Sequence, residues 1–157
     1  MVEEGSPAPQ FDLPSDAAGN VSLSQLRGKS VVVYFYPKDD TSGCTVEAKD
    51  FSSLAGEFAE AGVALVGVSP DSIASHAKFR KKHDLDAHLQ LAADVEKSVV
   101  TAYGVWVEKS MYGRKYMGVE RATFLIDTTG KVAKVWRKVK IPGHADAVLA
   151  AARALSA

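Results

Sequence analysis

Cysteine is nearly absent from this sequence: one residue in 157, so no internal disulfide can form. That excludes a disulfide-built scaffold and makes a reducing, cytoplasmic setting the expected one. Neither sign of charge is in excess, since 19 basic and 19 acidic side chains cancel. Proteins that neutralise many phosphates usually carry a basic surplus, so nucleic acid is not an expected partner. Long hydrophobic runs are missing too. None approaches the ~18 apolar residues that cross a bilayer, and no membrane association is expected. The opening segment Met1-Val2-Glu3-Glu4-Gly5-Ser6-Pro7 is acidic and has no apolar stretch of the signal-peptide kind. Glycine-rich phosphate loops of the Gly-x-Gly-x-x-Gly or Walker type do not follow any strand, which sets nucleotide binding aside. Repeats, low-complexity tracts and linkers are lacking as well, leaving one domain over residues 1–157.

What is present reads as an α/β chain. Apolar residues make up 46% and charged residues 24%, as in an ordinary soluble globular protein. Ser30 to Tyr36 is apolar on both alternating faces, the pattern of a strand covered on both sides, and it stops at Pro37, which has no amide proton for a ladder. From about Thr41 to Ala61 the apolar residues Ala48, Phe51, Leu54, Ala55 and Phe58 recur every three or four positions, predicting one helix. Thr41 suits its N-cap and Gly62 its C-terminal stop. Val63 to Val68 reads as a second buried strand, and Pro70-Asp71 as the opening of a helix that runs to about His83. Leu89 to Leu91 reads as a short strand and Glu96 to Tyr103 as a short helix. Ala122 to Ile126 and Val132 to Trp136 flank a four-residue turn ending in Gly130 and predict a hairpin. A C-terminal helix is expected from near Gly143, and a smaller hairpin within Phe11 to Leu23. The expected architecture is a mixed central sheet with helices on both faces and an N-terminal β-hairpin. Lys78-Phe79-Arg80-Lys81-Lys82 reads as a solvated helix face.

The informative stretch is Tyr36-Pro37-Lys38-Asp39-Asp40-Thr41-Ser42-Gly43-Cys44-Thr45. It places the cysteine in the first turn of a helix that follows a buried strand. Unsatisfied amides and the positive end of the helix dipole favour an anion there. Helix N-termini and nearby cations lower a thiol's pKa and raise its reactive fraction. Gly43 permits close backbone approach, and Thr41 sets a hydroxyl three residues before the sulfur. A buried structural cysteine is the alternative, since free cysteine also behaves as a small hydrophobe. His76, His83, His88 and His144 show no ligand spacing around Cys44 and read as surface histidines, so no metal and no other cofactor is expected.

The frame Pro37-x-x-x-Thr41-x-x-Cys44 resembles the active-site pattern of the peroxiredoxins, and the fuller string Tyr-Phe-Tyr-Pro-Lys-Asp-Asp-Thr-x-Gly-Cys-Thr resembles their bacterioferritin-comigratory, or Q-type, branch. The likeness runs through Gly5-x-x-Ala8-Pro9-x-Phe11, Gly67-Val68-Ser69, Tyr103-Gly104-Val105-Trp106 with Glu108-Lys109, and Arg121-Ala122-Thr123-Phe124-Leu125-Ile126-Asp127. The resemblance implies a thioredoxin-like fold and a thiol-dependent peroxidase acting on hydrogen peroxide and organic hydroperoxides. It implies that Cys44 is the nucleophile, that Thr41 hydrogen-bonds the peroxide, and that Pro37 shields the sulfur and shapes the pocket. Arg121 would supply the cation that stabilises the thiolate and the developing oxyanion, and Glu47 would orient Arg121. Whether the Thr41 hydroxyl serves the helix cap or the substrate stays open.

Two positions depart from the Q-type pattern. Ser42 stands where the branch usually has proline, and Lys49 stands where many members carry a resolving cysteine. With no second thiol, the implied chemistry is a one-cysteine cycle completed by an external thiol: glutathione, glutaredoxin or thioredoxin. A monomer is favoured over a homodimer. Lys49 is expected to face solvent rather than to tune Cys44. A thioredoxin-like dithiol oxidoreductase is the nearest rival, but it needs a Cys-x-x-Cys pair and Thr41 occupies the first position. A peroxide sensor or holdase chaperone stays open as an added role.

Overall fold

The computed structural model describes residues 2–17 and 19–156. Its centre is β3, Ser30–Phe35, in which every residue is buried. Both faces of this strand are apolar because both are covered. On one side β3 pairs in parallel with β4, Val63–Ser69, which pairs in parallel with β5, Leu89–Ala93. On the other side it pairs antiparallel with β8, Ala122–Ile126, which forms a hairpin with β9, Val132–Trp136. The five-stranded order β5-β4-β3-β8-β9 is the mixed sheet expected.

Alternation along β3 divides the core in two. Val31, Val33 and Phe35 face a layer with Phe124, Ile126 and Tyr103, closed by the short helix α4, Ser98–Ala102, and by the N-terminal hairpin of β1, Asp12–Pro14, and β2, Asn20–Ser22. Val32, Tyr34 and Tyr36 face the other layer, with Phe51 of α1 (Ser42–Ser53), Phe58 of α2 (Ala55–Glu60), Phe79 of α3 (Ile73–His83) and Val148 of α5 (His144–Ser156). Phe51 stacks on Tyr34 with ring centroids 4.6 Å apart. A fully buried phenylalanine of this kind stabilises by roughly 1.5–3 kcal/mol relative to exposure. Tyr34 in turn lies so close over Gly67 of β4 that a Cβ at that glycine would stand 2.8 Å from its ring.

Several expectations need correction. The helix predicted over 41–61 is two helices that part at Leu54 (φ −98°, ψ 1°). Ser52 and Ser53 are weak helix formers, and the Ser53 hydroxyl donates to the Asp50 carbonyl at 2.9 Å, competing with the helical ladder. Gly62 ends α2 at φ +73°, as its place suggested. The next helix starts at Ile73 rather than at Pro70, because the Ser72 hydroxyl caps it by accepting from the Ser75 amide. Arg80 is not part of a solvated face. It pairs with Asp16 and donates to the carbonyls of Leu85, Asp86 and Leu89, while Lys78, Lys81 and Lys82 are exposed. The β6–β7 hairpin (Trp106–Met111 and Arg114–Val119) was not anticipated, and its tip is Tyr112-Gly113 with both residues at positive φ.

Candidate active site

The C-terminal end of β3 releases the chain into a tight loop at Pro37–Asp40, and α1 starts two residues later. Asp40 takes a left-handed turn at φ 60°, a conformation aspartate tolerates better than most residues. Thr41 is the N-cap by position, with extended backbone, but its side chain makes no capping bond. Its hydroxyl instead donates to the Lys38 carbonyl at 2.9 Å. That leaves the hydroxyl oxygen free to accept, at the solvent-exposed lip of the loop.

Cys44 lies in the first turn of α1 and is only 2% exposed. Arg121, immediately before β8, reaches across to it: Nη2 donates to Sγ at 3.3 Å, and Nη1 donates to Oε1 of Glu47 at 2.6 Å. One guanidinium therefore joins the sulfur to a carboxylate one helical turn further along. Glu47 is buried, and burial raises its carboxyl to about 7 against the opposing pull of Arg121. Its second oxygen, Oε2, and the buried Tyr34 hydroxyl have no hydrogen-bond partner among the described residues. Gly43 leaves room for the guanidinium. A Cβ there would stand 3.3 Å from both Arg121 Nη2 and Ile141 Cδ1. An open, mainly apolar depression lined by Ser42, Gly43, Val46, Ile141 and Pro142 lies over the same turn. Pro37 is half-buried at the start of the loop.

The structure thus sets the Cys44 sulfur at a helix start with the Arg121 guanidinium donating to it. Residues 5–135 match the AhpC/TSA family. The chain belongs to that family and is a peroxiredoxin. This peroxiredoxin is 47% identical to the peroxiredoxin Bcp of Bacillus subtilis over 143 residues, covering 91% of this chain and 90% of the relative. It is 46% identical to the Bcp of Xanthomonas campestris, covering 94% and 92%. Among solved structures, the bacterioferritin comigratory protein of X. campestris, described for its alkyl peroxide reduction activity, superposes with a TM-score of 0.88 at 43% identity, covering 94% of this chain and 92% of that one. A cysteine-to-serine mutant of Xylella fastidiosa peroxiredoxin Q gives 0.91 at 34% identity, covering 98% and 97%. The chain is thus a thiol-dependent peroxidase of the Bcp, or peroxiredoxin Q, group with a thioredoxin-like fold.

The site residues singled out in sequence fall into two groups in this peroxiredoxin. Cys44, Gly43, Glu47 and Arg121 converge at one point, whereas Thr41 and Pro37 stand on the loop beside it. Lys49 is exposed on α1. The histidines are not all at the surface. His76 is fully buried and His144 is 7% exposed, each because it has a partner inside. His144 Nε2 lies 2.8 Å from the Thr123 hydroxyl, and burial first, then Arg121, lowers its pKa to about 4. His76 lies under the Pro37–Asp40 loop, 2.6 Å from Asp39. Ligand atoms of Asp39, Asp71 and His76 fall within 4.8 Å of one another, but Asp39 Oδ1 and Oδ2, Asp71 Oδ2 and both ring nitrogens of His76 are engaged with protein groups. Sequence reasoning missed this cluster, because Asp39 and His76 are 37 residues apart and neither lies in a metal or catalytic spacing.

Proposed function

We propose that this peroxiredoxin works by a one-cysteine cycle centred on Cys44, and the Arg121 bridge between Cys44 Sγ and Glu47 is the observation that carries the reading. The guanidinium balances negative charge on sulfur. The Cys44 thiolate attacks one oxygen of the hydroperoxide as the O–O bond breaks; the other oxygen leaves with the electron pair and takes up a proton as water or alcohol. Sulfur is oxidised by two electrons to a sulfenic acid. An external thiol then condenses with the sulfenic acid, releasing water and leaving a mixed disulfide. A second thiol attacks that disulfide, returning Cys44 and carrying away the oxidised reductant.

Around this chemistry the proposed roles are as follows. Arg121 stabilises the charge that passes from sulfur to the leaving oxygen, and fixed donors of this kind are worth about 3 kcal/mol each. Thr41 presents its hydroxyl to the peroxide, and Pro37 limits water at the sulfur. Gly43 leaves space for the guanidinium. Glu47 holds Arg121 in place. Lys49, where a resolving thiol would stand, keeps a solvent-facing place and leaves reduction to a glutathione-, glutaredoxin- or thioredoxin-type donor. Residues 1–157 are proposed to work as one domain and as a monomer in a reducing cytoplasm.

Peroxide consumption measured with each of the three reductant systems, for the parent and for Cys44→Ser, tests the reading. Activity is expected with at least one reductant and none in Cys44→Ser. Full activity in Cys44→Ser would overturn it. The mass of the oxidised protein then distinguishes a sulfenic acid or thiol adduct, as proposed, from a linked dimer.

A further inference from the structure

His76 is fully buried, and nothing in the peroxide chemistry uses it. Its Nε2 lies 2.9 Å from the Ala92 carbonyl, which can only accept, so Nε2 carries a hydrogen. Its Nδ1 lies 2.6 Å from Oδ2 of Asp39. The same Oδ2 accepts from the Ser75 hydroxyl at 2.8 Å, and Oδ1 accepts from the Tyr36 hydroxyl at 2.6 Å. Donors converging on both oxygens describe an ionised Asp39 facing an imidazolium at His76. Burial by itself would lower the pKa of His76. The hydrogen bond and charge of Asp39, the Ala92 carbonyl and the charge of Asp71 outweigh it, and the pKa is raised above 6.5.

The pair sits where it can act on the site. Asp39 is buried while its neighbours Lys38 and Asp40 are exposed, so Asp39 anchors the loop in the interior. Its amide also donates to Oδ2 of Asp71 at 2.8 Å, and that oxygen accepts from the Ser69 hydroxyl at 2.6 Å. Pro37 lies two residues to one side and Thr41 two to the other. Asp40 is tied to Lys82 and His83 of α3 as well, at 2.7 and 2.8 Å, but those groups are more exposed and such pairs contribute little.

We infer that Asp39 and His76 are a positioning pair for peroxide reduction: their buried, hydrogen-bonded charges hold the Pro37–Asp40 loop so that Thr41 and the first turn of α1 keep their places around Cys44. The inference rests on the proposed roles of Cys44 and Thr41. Removing one partner leaves a buried charge uncompensated, and the loop relaxes to relieve it. A misplacement of about 1 Å can cost on the order of 100-fold in rate. The groups facing His76 are Asp39 from the loop, Asp71 from the β4–α3 turn, Tyr36 just after β3, and the Ala92 carbonyl from β5. None of these neighbours supplies a competing positive charge. The charged pair therefore requires a protonated His76 and is lost as pH rises through the raised pKa of His76.

Asp39→Asn, His76→Gln and the double variant are compared with the parent in two single-turnover reactions of Cys44: oxidation by hydrogen peroxide and alkylation by iodoacetamide. Alkylation needs a nucleophilic sulfur but no peroxide geometry. Each single variant is expected to lower the peroxide rate about 10- to 100-fold while the alkylation rate holds. The double variant is expected to be no worse than the weaker single, the non-additivity of a coupled pair. In the parent, the ratio of peroxide to alkylation rate falls as pH rises through the titration of His76, and this limb vanishes in His76→Gln. A merely structural role would lower the melting temperature and leave the ratio unchanged, and that result overturns the inference. Should the variants fail to fold, the parent's pH profile and the milder Ser75→Ala decide: a pH-independent ratio or an unaltered Ser75→Ala ratio overturns it. An inactive Cys44→Ser beside an unchanged ratio sinks this inference alone, whereas an active Cys44→Ser sinks the proposed cycle.

Discussion

Replacing Arg121 with methionine removes a guanidinium from two bonds at once, and the consequences for stability and for rate separate cleanly. The Arg121–Glu47 pair is enclosed: the two side chains are 18% and 2% exposed. Taking one partner from such a pair strands the other, at a typical cost of about 3–5 kcal/mol. Glu47 already titrates at about 7, so near neutral pH it can take up a proton and soften the loss. The lower end then applies, about 3 kcal/mol, or roughly 6–12 °C in melting temperature for a domain of this size. Peroxide reduction should fall about 10²- to 10³-fold, as expected for a lost donor at developing negative charge. Pairing Arg121→Met with Glu47→Met removes the stranded carboxyl and replaces the ion pair by apolar groups of similar length, which should recover most of the stability. It cannot restore a donor to Cys44. Thermal unfolding and the second-order rate of Cys44 oxidation, measured on both variants, test the separation. Recovery of the rate together with the melting temperature would refute the reasoning, since the guanidinium would then serve the fold and not the sulfur.

Three other outcomes are expected. Glu47 keeps its proton in the folded state between about 4.5 and 7, where the unfolded chain has lost it, so it makes stability fall as pH rises through that window; Glu47→Gln should remove this slope in denaturant titrations. His144 acts oppositely, because the folded state refuses between about 6.5 and 4 a proton that the unfolded chain binds: stability falls as pH drops through that range, and His144→Gln should flatten that limb of the same titrations. Tyr112 stands at φ 52° before Gly113 at φ 77°, in a turn that prefers Asn-Gly; Tyr112→Asn should stabilise by about 1 kcal/mol in chemical denaturation and leave peroxide reduction unchanged.

The centre of the sheet was legible because β3 and β4 are apolar on both faces and could be buried strands or nothing, and Pro37 marked where the first must stop. Cys44 was legible for a similar reason, since a strand, a loop and a helix start in that order put the sulfur at a helix N-terminus whatever the rest does. The bond from Arg121 was not. It joins residues 77 positions apart, and only the family frame gave grounds for pairing them. The β6–β7 hairpin escaped because its strands are largely exposed and carry no clean apolar alternation. His76 and His144 were misplaced at the surface because polarity is a poor guide when a distant acceptor waits inside. The break at Leu54 was hidden by an apolar stripe that runs through both helices in nearly the same phase.

The depth of Cys44 also bears on how long a molecule of this enzyme lasts. Cys44 is only 2% exposed, and such burial hinders a bulky thiol more than a small peroxide. On the proposed cycle, a freshly made sulfenic acid faces two competitors, a thiol that rescues it and a second peroxide that carries it on to the sulfinic acid. Burial slows the larger one more. The number of turnovers before a molecule is lost is then set by the ratio of thiol to peroxide around it, and a burst of oxidant would retire these molecules in proportion to its size.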